Sequence, residues 1–277
     1  MGEWIKKGLI NYDPYLAQYL DFNDERIKKG WDSVVLVDGM EGSGKSNLAI
    51  ACAYYNDPTL TAERIVFTPE QFLSAVDNAK KGQAIVYDEF VTGGLGTDFM
   101  SLFQKTIIKK LVMCRKKGLY LYLVIPNIFF LGRYFATHRT TYLIHNYTPD
   151  GIKRGEWRVY NYETKKKLYA RGKRTDYSYS PSDGAPKWDK RGTYLKTENY
   201  PIIDWAEYDR KKEEAIESIS LEKKSLKDTA RDKALKNAIR FLKEEHRYTN
   251  QNISDFLDVS SKSIERWSKK DRQTEVI

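Results

Sequence analysis

The stretch Gly39-Met40-Glu41-Gly42-Ser43-Gly44-Lys45-Ser46 follows directly on the apolar run Val34-Val35-Leu36-Val37. Its glycines let successive backbone N–H groups turn inward round an anion. Ser46 to Tyr54 reads as a helix whose positive N-terminal end faces the same anion. Gly39, Glu41, Gly42, Ser43, Gly44, Lys45, Ser46 and Asn47 are therefore candidates to cradle the phosphates of ATP or GTP. In that cradle Lys45 would reach the β- and γ-phosphates and the Ser46 hydroxyl would ligate Mg²⁺.

A second constellation is Ala84-Ile85-Val86-Tyr87-Asp88-Glu89, a buried strand that ends in two adjacent carboxylates. Consecutive side chains at a strand end point different ways, so the two acids can divide the work. Asp88 would hold the Mg²⁺ shell, and Glu89 would polarise the water that attacks the γ-phosphate, a pairing that suits hydrolysis. Strand Leu119–Ile125 ends in Pro126-Asn127, and Asn127 would lie beside the acids if that strand inserts between the first and third. It is then a candidate γ-phosphate sensor, or else a plain turn residue. Arg115, ahead of Gly118, is a candidate finger for a neighbouring subunit's nucleotide, with Arg133 and Arg139 in reserve. A solvated helix end is the alternative for Arg115.

These residues need elements to position them. From Val34 onward apolar strands alternate with helical stretches: Val34–Val37, Ile65–Phe67, Ala84–Tyr87, Leu119–Ile125 and Thr141–His145. The alternation predicts an α/β fold, a mainly parallel sheet with helices on both faces. An amphipathic helix around Pro14 to Lys29 precedes it. Gly155 to Ala170, with a turn at Asn161-Tyr162-Glu163-Thr164, reads as an edge β-hairpin. The organisation expected is a phosphate-loop domain over residues 1–175, a loop and charged linker over 176–232, and a small all-α domain over 233–277. Within the linker, the Lys/Glu alternation after Ala206 suits a solvated helix or an unstructured tether.

A chain of 277 residues with 41% hydrophobic side chains can bury a sizeable core. The longest apolar stretch, Leu119 to Leu131, is broken by Pro126-Asn127 and is too short to span a bilayer, so no membrane role and a cytoplasmic setting are expected. Cys52 and Cys114 read as separate free thiols, and no metal cluster is visible among the scattered His138, His145 and His246. The net charge of +9 is uneven: Gly151 to Thr175 carries nine Lys or Arg against two Glu. Trp157, Tyr160, Tyr162 and Tyr169 interleave with these cations, which makes the segment, Lys165, Lys166 and Lys167 above all, a candidate nucleic-acid surface. A merely solvated basic face is the alternative.

Near the carboxyl end, Ile253 to Trp267 has the spacing of a helix-turn-helix unit. Phe256, Leu257, Val259, Ile264 and Trp267 would pack two helices together. Ser260 would cap the second, leaving Ser261, Lys262, Glu265 and Arg266 to meet a DNA groove. A trihelical protein-interaction module is the alternative.

Taken together, the phosphate loop, Asp88-Glu89 and the passage Met113 to Asn127 resemble the additional-strand, catalytic-glutamate ATPases. Within that class they are most similar to the FtsK–HerA motors and the small viral genome-packaging ATPases, over about residues 33 to 146. The resemblance implies a fourth strand beside the phosphate-loop strand, a homo-oligomeric ring, ATP and Mg²⁺ as cofactors, and double-stranded DNA as substrate. Whether a viral portal or a separate nuclease is a further partner is left open by the sequence. Asn127 stands where some branches carry Gln. The terminal segment is similar to the small trihelical domains of regulators and phage terminase small subunits, with Asp258 where Gly is usual. A DNA motor of a virus or mobile element is the function expected. The alternatives are a non-translocating ATP switch that regulates or loads at a DNA site, and a nucleotide or small-molecule kinase.

Overall fold

The computed structural model describes residues 3–88, 107, 109–112, 115–172, 174–195, 197, 200–218, 239 and 249–257. They divide into two units, Met1–Ala215 and Ile216–Ile277. In the first, a small hairpin of β1 (Ile5–Lys7) and β2 (Ile10–Tyr12) leads into helix α1 (Pro14–Lys28). Asp13 caps α1 by accepting from the Tyr15 and Leu16 amides. Strand β3 (Ser33–Gly39), helix α2 (Lys45–Asn56), β4 (Ile65–Val66), α3 (Pro69–Asn78), β5 (Ala84–Tyr87), β6 (Tyr120–Val124) and β7 (Tyr142–Tyr147) follow. The sheet is completed by β8 (Glu156–Tyr160) and, beyond helix α4 (Tyr162–Gly172), by β9 (Lys190–Thr193).

The seven strands run in the order β4-β5-β6-β3-β7-β8-β9. The first five are parallel, and β8 and β9 are antiparallel additions at the β7 edge. The expected insertion of the fourth parallel strand between the first and third is thus present as β6 between β3 and β5. Period-two alternation divides the core between two faces. Val35, Val37, Tyr122, Val124 and Ile144 pack with α1 and α2, while Val34, Leu36, Leu121, Leu123 and Leu143 pack with residues of α3 and α4. Asn23 of α1 ties the first layer to the sheet: it is fully buried, donates to the Tyr142 hydroxyl at 2.8 Å and accepts from Ser33 Oγ at 2.7 Å.

Three expectations are corrected. Gly155 to Ala170 is a strand followed by a helix, because the Asn161 side chain accepts from the Glu163 and Thr164 amides and so caps α4 instead of turning a hairpin. On the side away from β7, β8 pairs with β9, held alongside by Asp189, which accepts from the Asn161 amide at 2.8 Å. For the same reason the first unit extends to Ala215 and does not end near residue 175, since part of the expected linker completes the sheet. Helix α5, over 205–218, is not merely solvated: Tyr208 and Ala215 are buried in the core.

In the second unit, helix α6 (Asn250–Leu257) starts at Thr249, whose Oγ1 accepts from the Asn252 amide while Asn252 Oδ1 accepts from the Thr249 amide. Ile253 and Ile239 are buried. The rest of the expected helix-turn-helix, with Ser261, Lys262, Glu265 and Arg266, lies outside the described residues, as do Glu89 and Cys114. Among the described residues, no helix is long and apolar enough to cross a membrane, and no metal-binding cluster of His, Cys, Asp or Glu occurs.

Candidate functional site

The phosphate loop hangs from the C-terminal end of β3, where Asp38 is fully buried. Asp38 Oδ1 lies 2.8 Å from His145 Nδ1, and Oδ2 accepts from the Ile128 amide at 3.0 Å and from the Tyr179 hydroxyl. The Tyr179 ring stacks on His145 at 4.1 Å. Burial, reinforced by the Asp38 charge, pushes the Tyr179 phenol far up, so it stays a donor to that carboxylate. These bonds tie β3 to the ends of β6 and β7 and fix the point from which the loop departs.

The loop itself needs its glycines. Gly39 has φ 141°, and a side chain there would run into the Asn146 backbone. Gly44, at φ 98°, is the left-handed residue that starts α2, and a Cβ on it would sit 2.7 Å from the Tyr194 hydroxyl. Behind the loop, Asn146 Nδ2 donates to the Ser43 carbonyl at 3.1 Å and to Tyr194 at 2.9 Å, and Tyr194 donates to the Gly44 carbonyl at 3.2 Å. Lys45 Nζ arches back to the Met40 carbonyl at 2.8 Å. Asn47 is anchored by Thr197, whose hydroxyl donates to its side chain at 3.1 Å. The Ser43 hydroxyl is buried with no hydrogen-bond partner among the described residues, a polar atom that an anion in the loop would satisfy.

Asp88, at the end of β5, is almost completely buried. Ser46 Oγ donates to its Oδ1 at 2.9 Å. Tyr208 donates to Oδ2 at 2.8 Å, and Lys212 Nζ lies 3.3 Å from the same oxygen. Burial, then the Asp88 charge, pushes the Tyr208 phenol far up. A hydroxyl and a carboxylate in contact are hard oxygen ligands of the kind Mg²⁺ takes beside nucleotide phosphates, so these residues fit that ion. Loop and acid open on one cavity of about 810 Å³ that reaches Glu41, Gly42, Lys45, Asn47 and Asp88 on one side and Arg154, Trp205 and Lys212 on the other. That is room for a nucleoside triphosphate.

Several other candidates are placed differently. Asn127 caps a short turn, its Oδ1 accepting from the Phe129 amide at 2.9 Å and from Tyr179 at 3.1 Å, and it is not among the residues that line the cavity. Its local role is the turn. Arg115 lies before β6, at the end of the sheet away from the loop, with its guanidinium 4.0 Å over the Trp31 ring. Arg139 is committed to an ion pair with the buried Asp32. Arg133 is exposed.

The basic stripe is corrected too. Helical phase turns Lys165 inward, where it is fully buried and donates to the Thr140 carbonyl and hydroxyl at 2.5 and 2.6 Å, so it cannot meet DNA from there. Burial, with Lys166 and Arg26 nearby, pushes its amine down to about 7. Trp157 and Tyr160 are core residues, and Tyr169 is buried. Lys166 pairs with Glu163 at 3.4 Å, and Lys167 and Tyr162 are exposed.

Sequence reading missed Asn146, Tyr194, Thr197, Tyr208 and Lys212. The last four come from the segment read as linker, and each reaches the loop or Asp88 only after a chain reversal of more than a hundred residues. The aromatic density of 194–208 was the available signal.

No family model matches this sequence, and no curated protein matches it. Among solved structures, the chain is similar to the genome packaging NTPase B204 from Sulfolobus turreted icosahedral virus 2 in complex with AMP, at 13% identity, over 48% of this chain and 94% of that one, with a TM-score of 0.33. A likeness of that extent assigns this chain neither a family nor an activity.

Proposed function

We propose that this chain is an ATP-hydrolysing DNA motor of the translocating or genome-packaging type, from a virus or mobile element. The observation that carries the nucleotide half is the 2.9 Å bond between Ser46 and Asp88, with Lys45 of the same loop beside them and a cavity in front. Ser46, in the first turn of the helix after β3, and Asp88, at the end of β5, meet although β6 lies between those two strands. Mg²⁺ bound there would neutralise the charge of the phosphate oxygens.

In this reading the backbone amides from Gly42 to Ser46 bind the phosphates, and Lys45 swings from the Met40 carbonyl to the β- and γ-oxygens. Ser46 and Asp88 hold the metal's shell. Glu89, next in sequence to Asp88, accepts a proton from the attacking water. Arg115 or Arg133 of a neighbouring subunit in a homo-oligomeric ring would supply charge to the transition state. Double-stranded DNA is the substrate moved, recruited by the terminal helices through Ser261, Lys262, Glu265 and Arg266, with a portal or a separate nuclease as further partners. The excess of cations in a chain of net charge +9 supports a polyanionic partner.

The contacts of Tyr208 and Lys212 with Asp88 favour a second reading, a non-translocating ATP switch in which nucleotide state is transmitted through α5. A triplex-displacement assay with ATP separates the two. Displacement of a third strand ahead of the protein supports the motor; DNA binding at one site with no displacement supports the switch.

A further inference from the structure

At the end of the sheet opposite the phosphate loop, a second cavity of about 720 Å³ lies between α1, the start of β7 and the start of α4. Its walls combine two kinds of side chain. Phe22, Trp31 and Tyr162 present aromatic rings, and all three are exposed, at 46%, 46% and 39%. Arg26 and Lys190 present cations. What marks the site is that three exposed aromatic rings meet two cations on the walls of one cavity.

The charge around this cavity is not balanced. Arg26 and Arg139 lie by a single carboxylate, Asp32, and Arg139 pairs with it, while Arg115 adds a further positive charge near Arg26. Arg26 donates to the Asp32 backbone carbonyl at 3.1 and 3.2 Å, and its guanidinium lies 5.3 Å from the Trp31 ring. Among the described residues neither Arg26 nor Arg115 nor Lys190 has an ion-pair partner. The nearest acid on the wall, Glu163, is exposed and already shared with Lys166. Partial burial is the main cause that lowers the Arg26 pKa; Asp32 opposes it, and Arg115 and Arg139 add smaller contributions in the same direction as burial.

We propose that this cavity is a binding site for single-stranded nucleic acid, in which unpaired bases stack on Phe22 and on the face of Trp31 that Arg115 leaves open, while Arg26 and Lys190 contact the phosphates. Stacking needs a base freed from its duplex partner, because a paired base hides its face in the helix. Exposed rings therefore select a single strand, and cations alone would not. A polyanion also supplies the negative charge that Arg26 and Lys190 lack. A protein partner of acidic chemistry would satisfy the charges and leave the rings without that specific use. The site is remote from Asp88 and the phosphate loop and stands or falls independently of the nucleotide reading.

The test is fluorescence anisotropy of a labelled oligodeoxythymidine with the full chain and no nucleotide, compared with an oligouridine and with a blunt duplex of mixed sequence. The proposal expects single-strand binding that the ring substitutions weaken, and duplex binding, assigned to the terminal helices, that they leave unchanged. Phe22→Ser should weaken single-strand binding by roughly 5- to 100-fold with an unchanged melting temperature and unchanged basal phosphate release, and Trp31→Leu should weaken it by a similar factor. Lys190→Glu should lower the slope of log affinity against log salt by about 0.7, the share of one phosphate contact. Single-strand affinity that survives both ring substitutions overturns the proposal. So does an equal loss of duplex binding in the ring variants, or a self-associating protein that Trp31→Leu turns into monomers, since the rings would then belong to a contact between copies.

Discussion

The Tyr208 hydroxyl donates to Asp88 Oδ2 at 2.8 Å, joining residues that lie 120 positions apart in the chain. One turn further along α5, Lys212 brings an ammonium to the same oxygen at 3.3 Å, while Ser46 holds the other. The carboxylate expected to serve a metal ion is thus engaged by the chain's own cation, and α5 is anchored for the purpose by Lys211, which donates to the Ala62 and Ile65 carbonyls.

From that geometry Lys212→Ala should raise the apparent affinity for Mg²⁺, because the ammonium and the metal compete for one carboxylate. A partly exposed pair of this kind is worth about 1 kcal/mol, so the half-saturating Mg²⁺ concentration for ATP hydrolysis should fall roughly fivefold. Titration of phosphate release against Mg²⁺ measures it. A higher Mg²⁺ requirement in the variant would show that Lys212 assists the metal instead.

Lys45→Ala and Glu89→Gln should fail in different ways. Loss of Lys45 removes a cation from the phosphates and should abolish detectable binding of a fluorescent ATP analogue. Glu89→Gln keeps shape but loses the base, so binding should persist while turnover falls by about 10²-fold or more. Equal binding defects in both would contradict the roles assigned to them.

Asn146 braces the loop from behind through Ser43 and Tyr194. Asn146→Ala leaves the Ser43 carbonyl without that donor, at a cost of about 1–3 kcal/mol. The expected result is a lower melting temperature and ATP binding weakened by roughly tenfold, read by calorimetry. Unaltered binding would mean that the loop holds its shape unaided.

How much of this was legible follows from sequence distance. The strand order and the loop could be read because β3, β5 and β6 each carry their own apolar run, and the loop motif is contiguous. The hairpin expected at 155–170 failed because Asn161, a good turn residue, is an equally good helix cap, and only the neighbouring Asp189 decides between the two. Lys165 was misread for a related reason: a run of three lysines looks like a surface, but 3.6-residue periodicity must turn one of them inward. Tyr194 and Tyr208 had no local pattern to betray them, since their partners lie in the loop and at Asp88.

Lys165 also sets a pH dependence. Its amine titrates at about 7 in the folded chain, against about 10.4 when unfolded. Between these values the unfolded chain binds the extra proton, so stability rises with pH, by up to about 1.4 kcal/mol per unit, and the full penalty is present below 7. The buried Cys52 thiol, pushed up by desolvation, acts in the opposite sense once its unfolded counterpart ionises above about 8.5. The melting temperature should therefore climb from pH 7 to 8.5 in the parent chain and stay flatter in Lys165→Met. Parallel curves would remove Lys165 as the cause.

The most direct test of the central claim is release of phosphate from Mg²⁺-ATP, measured with and without duplex DNA, in the parent chain and in Lys45→Ala. The account predicts hydrolysis that duplex DNA accelerates and that Lys45→Ala abolishes. Release that is absent under both conditions, or that persists undiminished in Lys45→Ala, would contradict it.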